Sequence, residues 1–400
     1  MVRPLRKMKN RRRGHEFALS ESFSNKNISP PMATEPAPAL KDWFDETRFH
    51  SIARLLSELH SGFDQKTFLV RSLDRLEELS LLQRLRRMTE SIREALPLDY
   101  LESVLVLRDL APLIDHSFVT LVLPDFVGQY GHENIDESLN ALAFFTRFGS
   151  SEFAIREYLK RDLHGTLAKM LEWSCDPDEH VRRLASEGCR PRLPWSCHLN
   201  ELITDPTPSL PILENLKADP ALYVRKSVAN HLNDISRDHS EVVLRILSGW
   251  DRDHPHTKWI TKQALRTLIK QGHVEALTLI GAGEPARVKI DRYDATPNKI
   301  TVGGEVKFCL ELTSLAQKSQ RLLIDYAVQY VKQSGSTSTK VFKWTECDLG
   351  PNQRLAISKR QTFKEFTTRK LYPGTHRVEL LINGEKRAET EFLLTADQKL

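Results

Sequence analysis

The segment DPDEHVRR at residues 176–183 returns as DPALYVRK at residues 219–226, and a weaker copy, HPHTKW, lies at residues 254–259. The prolines of the three copies are 43 and 35 residues apart, which is the spacing of HEAT-type helical-hairpin repeats. Asp176 is expected to cap a helix, Pro177 to occupy its first position, and Glu179 to complete a capping box. Stacked hairpins of this kind form an α-solenoid with a concave binding surface.

The pattern around these copies divides the chain into two structural classes. From Lys41 to about Gly283 leucines recur at spacings of three and four residues, which indicates amphipathic helices. After Glu284-Pro285 short segments alternate between polar and apolar residues, and Asn383-Gly384 is typical of a β-hairpin turn. We therefore predict an all-α HEAT-like repeat solenoid followed by an all-β immunoglobulin-like sandwich, with domains at residues 39–285 and 286–400. The predicted strands are 287–293, 300–312, 322–331, 340–344, 354–363, 376–382 and 386–394.

Charge is distributed unevenly along the 400 residues, so the overall value of +5 says little about a partner. Residues 1–38 have a net charge of +5, residues 39–286 of −7, and residues 287–400 of +7. The first 38 residues lack apolar periodicity, which predicts a disordered basic extension. That extension is either a nucleic-acid arm, a targeting address or a segment without a role. A nucleic-acid partner requires a local basic surface rather than a high overall pI.

Several classes of protein are excluded by what the sequence lacks. The five cysteines are an odd number without a CxxC spacing, which disfavours a disulfide scaffold and favours a reducing compartment. No apolar run approaches the roughly 18 residues that a membrane helix needs. Gly-rich phosphate loops, dinucleotide fingerprints and zinc-protease motifs are also missing, so we expect no cofactor. A group of five side chains matches no zinc spacing, and we expect no metal there: Cys175, His180, Cys189, Cys197 and His198.

A basic cluster surrounds one acid at the end of the first repeat helix. Glu187 is followed by Gly188, which is expected to end the helix, and then by a proline-framed Trp195. Guanidinium groups suit phosphate oxygens, and an indole face suits a sugar or a base. The alternative is a surface ion-pair network with a core tryptophan. The arginines of the cluster are Arg182, Arg183, Arg190 and Arg192.

Two further positions are candidates for the same surface. In SSEFAIR (residues 150–156), Ser150 or Ser151 is expected to cap a helix whose first turn holds Glu152. That acid is either a second functional carboxylate or a residue that favours the helix dipole. Asn230 aligns with Glu187 when the two repeats are superposed, so it either lines the groove or is an ordinary surface residue.

These motifs carry a resemblance to a known family. The segments SSEFAIR (150–156), DPDEHVRRLASEG (176–188), RPRLPW (190–195) and DPALYVRKSVANHLND (219–234) resemble the AlkC family of bacterial alkylbase DNA glycosylases, which are built from HEAT-like repeats. Many members carry a C-terminal immunoglobulin-like domain. The resemblance implies a cytoplasmic, monomeric and monofunctional enzyme that binds double-stranded DNA and excises cationic bases such as 3-methyladenine and 3-methylcytosine without base flipping. It would be associated with the nucleoid when bound to DNA.

The resemblance also implies roles for individual residues. Glu152 and Glu187 would be the catalytic carboxylates, and Trp195 the aromatic residue beside the lesion nucleotide. A base that is already cationic leaves without protonation, so the enzyme must stabilise an oxocarbenium-like sugar and position a water molecule. A non-catalytic scaffold or damage-binding protein is the alternative. The residues expected to contact DNA are Arg156, Arg182, Arg183, Arg190, Arg192, Lys226 and Asn230.

Overall fold

The computed structural model describes residues 39–365 and 370–396, and the extension predicted to be disordered lies outside these residues. The described chain is helical up to Leu279 and forms β-strands from Val288 to Thr395, as the sequence predicts. Both parts belong to one compact unit that begins at Lys41. Among the described residues, no helix combines the length and the apolar character that crossing a membrane would demand.

The helical part consists of sixteen α-helices and five short 3-10 helices within the described residues. The first eight α-helices are α1 (Glu46–Leu59), α2 (Gln65–Leu73), α3 (Leu81–Ala95), α4 (Tyr100–Leu110), α5 (Val122–Tyr130), α6 (Ile135–Phe145), α7 (Ile155–Arg161) and α8 (Leu163–Trp173). The other eight are α9 (Glu179–Glu187), α10 (Asn200–Thr204), α11 (Leu210–Asn215), α12 (Leu222–Ile235), α13 (Ser240–Gly249), α14 (Pro255–Ala264), α15 (Arg266–Lys270) and α16 (Val274–Leu279). The 3-10 helices are Leu40–Phe44, Leu76–Glu78, Ala111–Leu113, Val119–Leu121 and Thr207–Ser209.

The three sequence repeats correspond to α9, α12 and α14, which pack side by side in that order. The predicted start of the first two helices is wrong by two residues. The carboxylate of Asp176 accepts a hydrogen bond from the N–H of Asp178 at 2.8 Å, and Asp178, not Asp176, caps α9. Asp219 makes the equivalent bond to Ala221, so in both repeats the proline lies in a turn before the helix. The third helix begins at Pro255, as predicted.

An arginine joins each of these turns to its own helix. Nη1 of Arg182 donates to the carbonyl oxygens of Asp176 and Pro177, both at 2.9 Å. Its Nε and Nη2 donate to the carboxylate of Asp219 in the next repeat, at 2.6 and 3.2 Å. The equivalent Arg225 binds the carbonyl oxygens of its own turn and lies over the ring of Trp259 in the third repeat. These arginines therefore connect neighbouring repeats.

The β part forms two sheets with two apolar clusters among its buried side chains. One sheet has the order β1-β3-β6 and the other β2-β8-β7-β4-β5, in which β2 pairs parallel to β8. The predicted strand 300–312 is two strands, because a turn with Gly303 at φ +92° separates β2 from β3. Positive φ values at Asn383 and Gly384 confirm the predicted hairpin turn. The strands are β1 (Val288–Thr296), β2 (Lys299–Thr301), β3 (Glu305–Ser314), β4 (Gln320–Val331), β5 (Thr337–Leu349), β6 (Arg354–Thr362), β7 (Gly374–Ile382) and β8 (Glu385–Thr395).

The two parts meet at a junction that is both ionic and apolar. Glu346 of β5 lies 2.5 Å from Nζ of Lys262 in α14, and it also pairs with Arg321 and Lys343. Leu323 of β4 is buried within the helical core. The amide of Asn383 donates to the carbonyl oxygen of Glu284, which ties the β7–β8 turn to the connecting segment. We call this set of contacts the junction.

Candidate active site

Glu187 is the last residue of α9 and is buried, with 5% of its surface exposed. Its Oε1 lies 2.6 Å from Nη1 of Arg190 and 3.6 Å from Nη2 of Arg183. Burial alone would raise the pKa of the Glu187 carboxyl, but the two guanidinium groups outweigh it and hold that pKa below its ordinary value. Glu187 is therefore an ionised carboxylate inside the protein.

Glu152 lies in a turn before α7, not in the first turn of a capped helix, so the predicted cap by Ser150 or Ser151 is wrong. The hydroxyl of Ser150 accepts from the N–H of Glu152 at 3.3 Å and donates to its Oε2 at 2.9 Å. Nη1 of Arg183 lies 2.6 Å from the same Oε2. The turn thereby presents Glu152 towards α9.

Arg183 connects the two carboxylates, since one nitrogen contacts Glu152 and the other lies near Glu187. Its side chain is 15% exposed, and its guanidinium carbon lies 4.8 Å from the centre of the Tyr223 ring. Burial would lower the pKa of Arg183, but the neighbouring carboxylates of Glu187 and Glu152 raise it above its ordinary value. The charge of this bridge is therefore permanent.

Arg190 extends the network into the next repeat. Its Nε and Nη2 both lie 2.9 Å from Oδ2 of Asp234 in α12, and both side chains are buried. The network of ion-paired side chains thus runs through three carboxylates and two guanidinium groups, with a formal charge of −1. We call it the carboxylate network: Glu152, Arg183, Glu187, Arg190 and Asp234.

Arg156 does not lie on a DNA-accessible surface, which corrects the expectation that it contacts DNA. It is 0% exposed and donates to the carbonyl oxygens of Gly188 at 3.0 Å, of Arg190 at 2.8 Å and of Cys197. Burial lowers its pKa. Arg156 is a structural link between α7 and the segment after α9.

The other expected arginine contacts with DNA are also changed by the structure. Arg190 is 6% exposed and fully engaged by two acids, and Arg182 is held by Asp219. The geometry therefore gives these two arginines structural partners in place of phosphates. Arg192 is different, because its side chain is 25% exposed and pairs with the exposed Asp238 at 3.0 Å.

Trp195 lies in the loop between α9 and α10 and is 66% exposed. The alternative that Trp195 is a core residue is therefore wrong. The alternative of an ion-pair network is right about the pairing, but Glu187 and Arg190 of that network are buried and not at the surface. The backbone of Trp195 has φ +63°, in the left-handed region that non-glycine residues seldom adopt. The N–H of Leu199 donates to the carbonyl oxygen of Pro191 at 3.1 Å and closes this loop.

The last two expected contacts lie on α12. Lys226 is exposed, and Asn230 is half-buried. The Oδ1 of Asn230 accepts a hydrogen bond from Nη2 of Arg266 at 3.1 Å. Both belong to α12, which packs against α9.

Sequence reasoning missed Asp234 and Tyr223. Asp234 lies 44 residues from its partner Arg190 in the sequence, so no short motif indicates that the two residues pair. Tyr223 is the counterpart of His180 when the repeats are aligned, and that alignment was the available signal. The described residues contain no group of three or more His, Cys, Asp and Glu side chains that could hold a metal ion.

Comparisons with known proteins agree with both parts of the fold. Residues 289–396 match the family model described as the C-terminal Ig-like domain of the uncharacterised protein YhaZ. The chain is 40% identical over 354 residues to the uncharacterised protein YhaZ of Bacillus subtilis (strain 168), covering 88% of this chain and 98% of that protein. It is also similar to the solved structure of Pseudomonas fluorescens alkylpurine DNA glycosylase AlkC bound to DNA containing an abasic site analog. That match has 48% identity and a TM-score of 0.88, and it covers 90% of this chain and 100% of the other.

Proposed function

The chain belongs to the AlkC family of DNA glycosylases, and from this membership we propose that it hydrolyses the N-glycosidic bond of cationic alkylated bases in duplex DNA. The proposed substrates are 3-methyladenine and 3-methylcytosine, excised without base flipping by a monofunctional, monomeric enzyme. The proposed location is the bacterial cytoplasm, at the nucleoid when the protein is bound to DNA. No cofactor or metal takes part in the proposed reaction.

The observation that carries the proposal is the pair of carboxylates bridged by Arg183. The closest guanidinium contacts use Oε2 of Glu152 and Oε1 of Glu187, so the second oxygen of each carboxylate takes no part in these contacts. A network with a charge of −1 attracts a cationic base and stabilises positive charge on the sugar. Glu187, held ionised by its neighbours, is suited to this electrostatic role.

The proposed reaction needs no acid catalyst. The bond between C1′ and the base nitrogen breaks, and its electron pair neutralises the positive charge of the departing base. Water then attacks the oxocarbenium-like sugar and loses one proton, leaving a free base and an abasic site. Glu152, whose side chain is 16% exposed and thus more accessible than Glu187, is proposed to orient this water and accept its proton.

The DNA contacts that we propose are made by the exposed Trp195 and Lys226 and by the half-buried Arg192 and Asn230. Trp195 would place its indole face beside the sugar of the lesion nucleotide, where the ring quadrupole favours positive charge. The DNA backbone would be contacted by Arg192 from the loop after α9, and by Lys226 and Asn230 from α12. Arg183 and Arg190 are proposed to position and ionise the carboxylates in place of binding phosphates.

Release of methylated bases from alkylated duplex DNA, under single-turnover conditions, tests the proposal. We expect Glu187→Gln to reduce the rate by about 100-fold or more, because a preorganised charge is lost. Binding to DNA that contains an abasic site should persist or tighten, since a negative charge has been removed. Glu179→Gln is the matched control, because Glu179 is exposed in the first turn of the same helix.

Two outcomes would contradict the proposal. A folded wild-type protein that binds damaged DNA without releasing a base would be a damage-recognition protein, which is the alternative class. A folded Glu187→Gln variant whose rate stays within a few-fold of wild type would remove Glu187 from the mechanism. Melting temperatures of all variants establish that the comparison is made between folded proteins.

A further inference from the structure

We propose that Tyr223 is a positioning residue of the active site, whose ring holds the guanidinium of Arg183 in place between Glu152 and Glu187. This inference rests on the proposed function, because it assigns a role in the same reaction. It concerns the aromatic ring and not the phenol hydroxyl. Tyr223 is the second residue of α12, so the ring comes from a repeat that contributes neither carboxylate.

The contact geometry is that of a cation–π pair. The guanidinium carbon of Arg183 lies 4.8 Å from the centre of the Tyr223 ring, inside the range in which such pairs are attractive. His180 of α9 contacts the same ring at a centroid distance of 5.5 Å with an interplanar angle of 64°. Tyr223 is 40% exposed, yet Arg183 is only 15% exposed, which is consistent with the ring shielding part of the guanidinium from water.

The position of Arg183 matters because its two terminal nitrogens serve different carboxylates. Nη1 lies 2.6 Å from Glu152 and donates to Ser150 at 2.9 Å, whereas Nη2 is 3.6 Å from Glu187. Hydrogen bonds thus hold one end of the fork tightly, and the end nearer Glu187 is held less closely. The Tyr223 ring packs against the guanidinium and restricts its rotation around the tightly held Nη1. The ring thereby keeps the positive charge of Nη2 close to Glu187.

The sequence repeat explains why the ring of Tyr223 lies next to α9. Superposing Val181 on Val224 places Tyr223 at the position of His180, and the two rings contact each other between adjacent helices. A second cation–π pair, Arg225 with Trp259, occurs between α12 and α14 at 5.9 Å. That pair contacts neither carboxylate and provides a matched control.

The experiment compares Tyr223→Phe, Tyr223→Leu and Trp259→Leu with wild type in single-turnover base release and in binding to abasic-site duplex. We expect Tyr223→Leu to lower the excision rate by about 10-fold, while the Kd changes by less than about threefold. Tyr223→Phe keeps the ring and should retain a rate within about twofold of wild type. Trp259→Leu should leave the excision rate unchanged, although it removes the aromatic ring that packs against Arg225.

Each outcome decides between the possible roles. An equal loss of rate in the Phe and Leu variants would assign the role to the hydroxyl and overturn the proposal. A Tyr223→Leu variant with the wild-type rate, or one that loses binding and rate together, would also overturn it. If the wild-type protein itself releases no base, the proposed function fails, and that result is distinct from failure at Tyr223.

Discussion

The ionisation of Glu187 depends on guanidinium groups from two different segments. Burial raises the pKa of the Glu187 carboxyl, but Arg183 and Arg190 together lower it by more. The net shift is therefore downward from the ordinary value of 4.5. The stabilisation that this carboxylate gives the fold is therefore present above about pH 4.5 and is lost as the pH falls through the lowered pKa. At neutral pH the group is fully ionised.

We expect the single-turnover rate of the wild-type protein to be independent of Glu187 ionisation between about pH 5.5 and 8. In Arg190→Gln, one cation is missing while burial remains, so the pKa of Glu187 rises and the rate falls as the pH is lowered. The pH–rate profile measures this effect. Arg192→Gln is the control, because Arg192 pairs with Asp238. Identical profiles for the Arg190 variant and wild type would contradict the assignment.

The backbone of Trp195 allows its function to be separated from stability. At φ +63° the backbone of glycine is unstrained, whereas the backbone of alanine or tryptophan is strained. We expect Trp195→Gly to be more stable than Trp195→Ala by about 0.5–1 kcal/mol, the reverse of the usual order. Both variants should excise slowly because both lack the indole. Melting temperatures and single-turnover rates are the measurements, and the usual order of stability would show that the loop adopts another conformation.

At the scale of elements, the arginine of each repeat turn stabilises the contact with the following repeat. Removing Arg182 leaves the 6%-exposed Asp219 without its ionic partner. We expect Arg182→Ala to lower the free energy of unfolding by about 2–3 kcal/mol. Its effect on DNA affinity should be small, because the side chain is directed between repeats. Urea denaturation tests the stability.

The two cations that we propose to contact DNA, Lys226 and Arg192, provide the contrasting expectation. Lys226→Ala and Arg192→Ala should each reduce the slope of log affinity against log salt by about 0.9 if each contacts one phosphate. Arg182→Ala should leave that slope unchanged. Titrations of duplex DNA at several salt concentrations measure all three. A reduced slope for Arg182→Ala alone would show that the pair with Asp219 opens on DNA.

The helices and strands were largely predictable from the sequence, whereas the ion-pair partners of individual side chains were not. Leucine spacing, the repeated Asp-Pro segments and the Asn-Gly turn contain local information about helices, repeats and a hairpin, and the fold class follows from them. Helix starts shifted because Asp176 and Asp219 bond the second N–H along the chain and hold each proline outside the helix. The expected roles of Arg182 and Arg190 changed because their acidic partners Asp219 and Asp234 lie 37 and 44 residues away, in the next repeat.

At the scale of the whole molecule, the junction determines how far the two parts are independent. Leu323 of the β part is buried in the helical core, and Lys262 of α14 is paired with Glu346. We expect a fragment of residues 39–286 to remain helical but to lose about 2 kcal/mol of stability, roughly the value of one buried leucine. Circular dichroism and thermal melts measure this. An unchanged melting temperature would show that the junction contributes nothing to the helical part.

The same fragment tests the contribution of charge to DNA binding. Residues 39–286 carry a net charge of −7, and residues 287–400 carry +7, so the fragment repels duplex DNA at long range. We expect the fragment to bind and excise much more weakly than the whole chain, with the greatest difference at low salt. A Glu346→Gln variant of the whole chain is the control that weakens the junction without removing the basic part. Full activity of the fragment would show that the β part is dispensable.

The exposed loop after α9 also has an optical consequence. Of the six tryptophans, only Trp195 is exposed, and the other five are half-buried or buried. Indole emission moves to longer wavelength in water, so the red edge of the fluorescence spectrum reports mainly on this side chain. A soluble quencher such as iodide would reach it preferentially. The loop thus contains an intrinsic fluorophore, and a ligand that covers Trp195 would be visible as a blue shift with reduced quenching, without any added label.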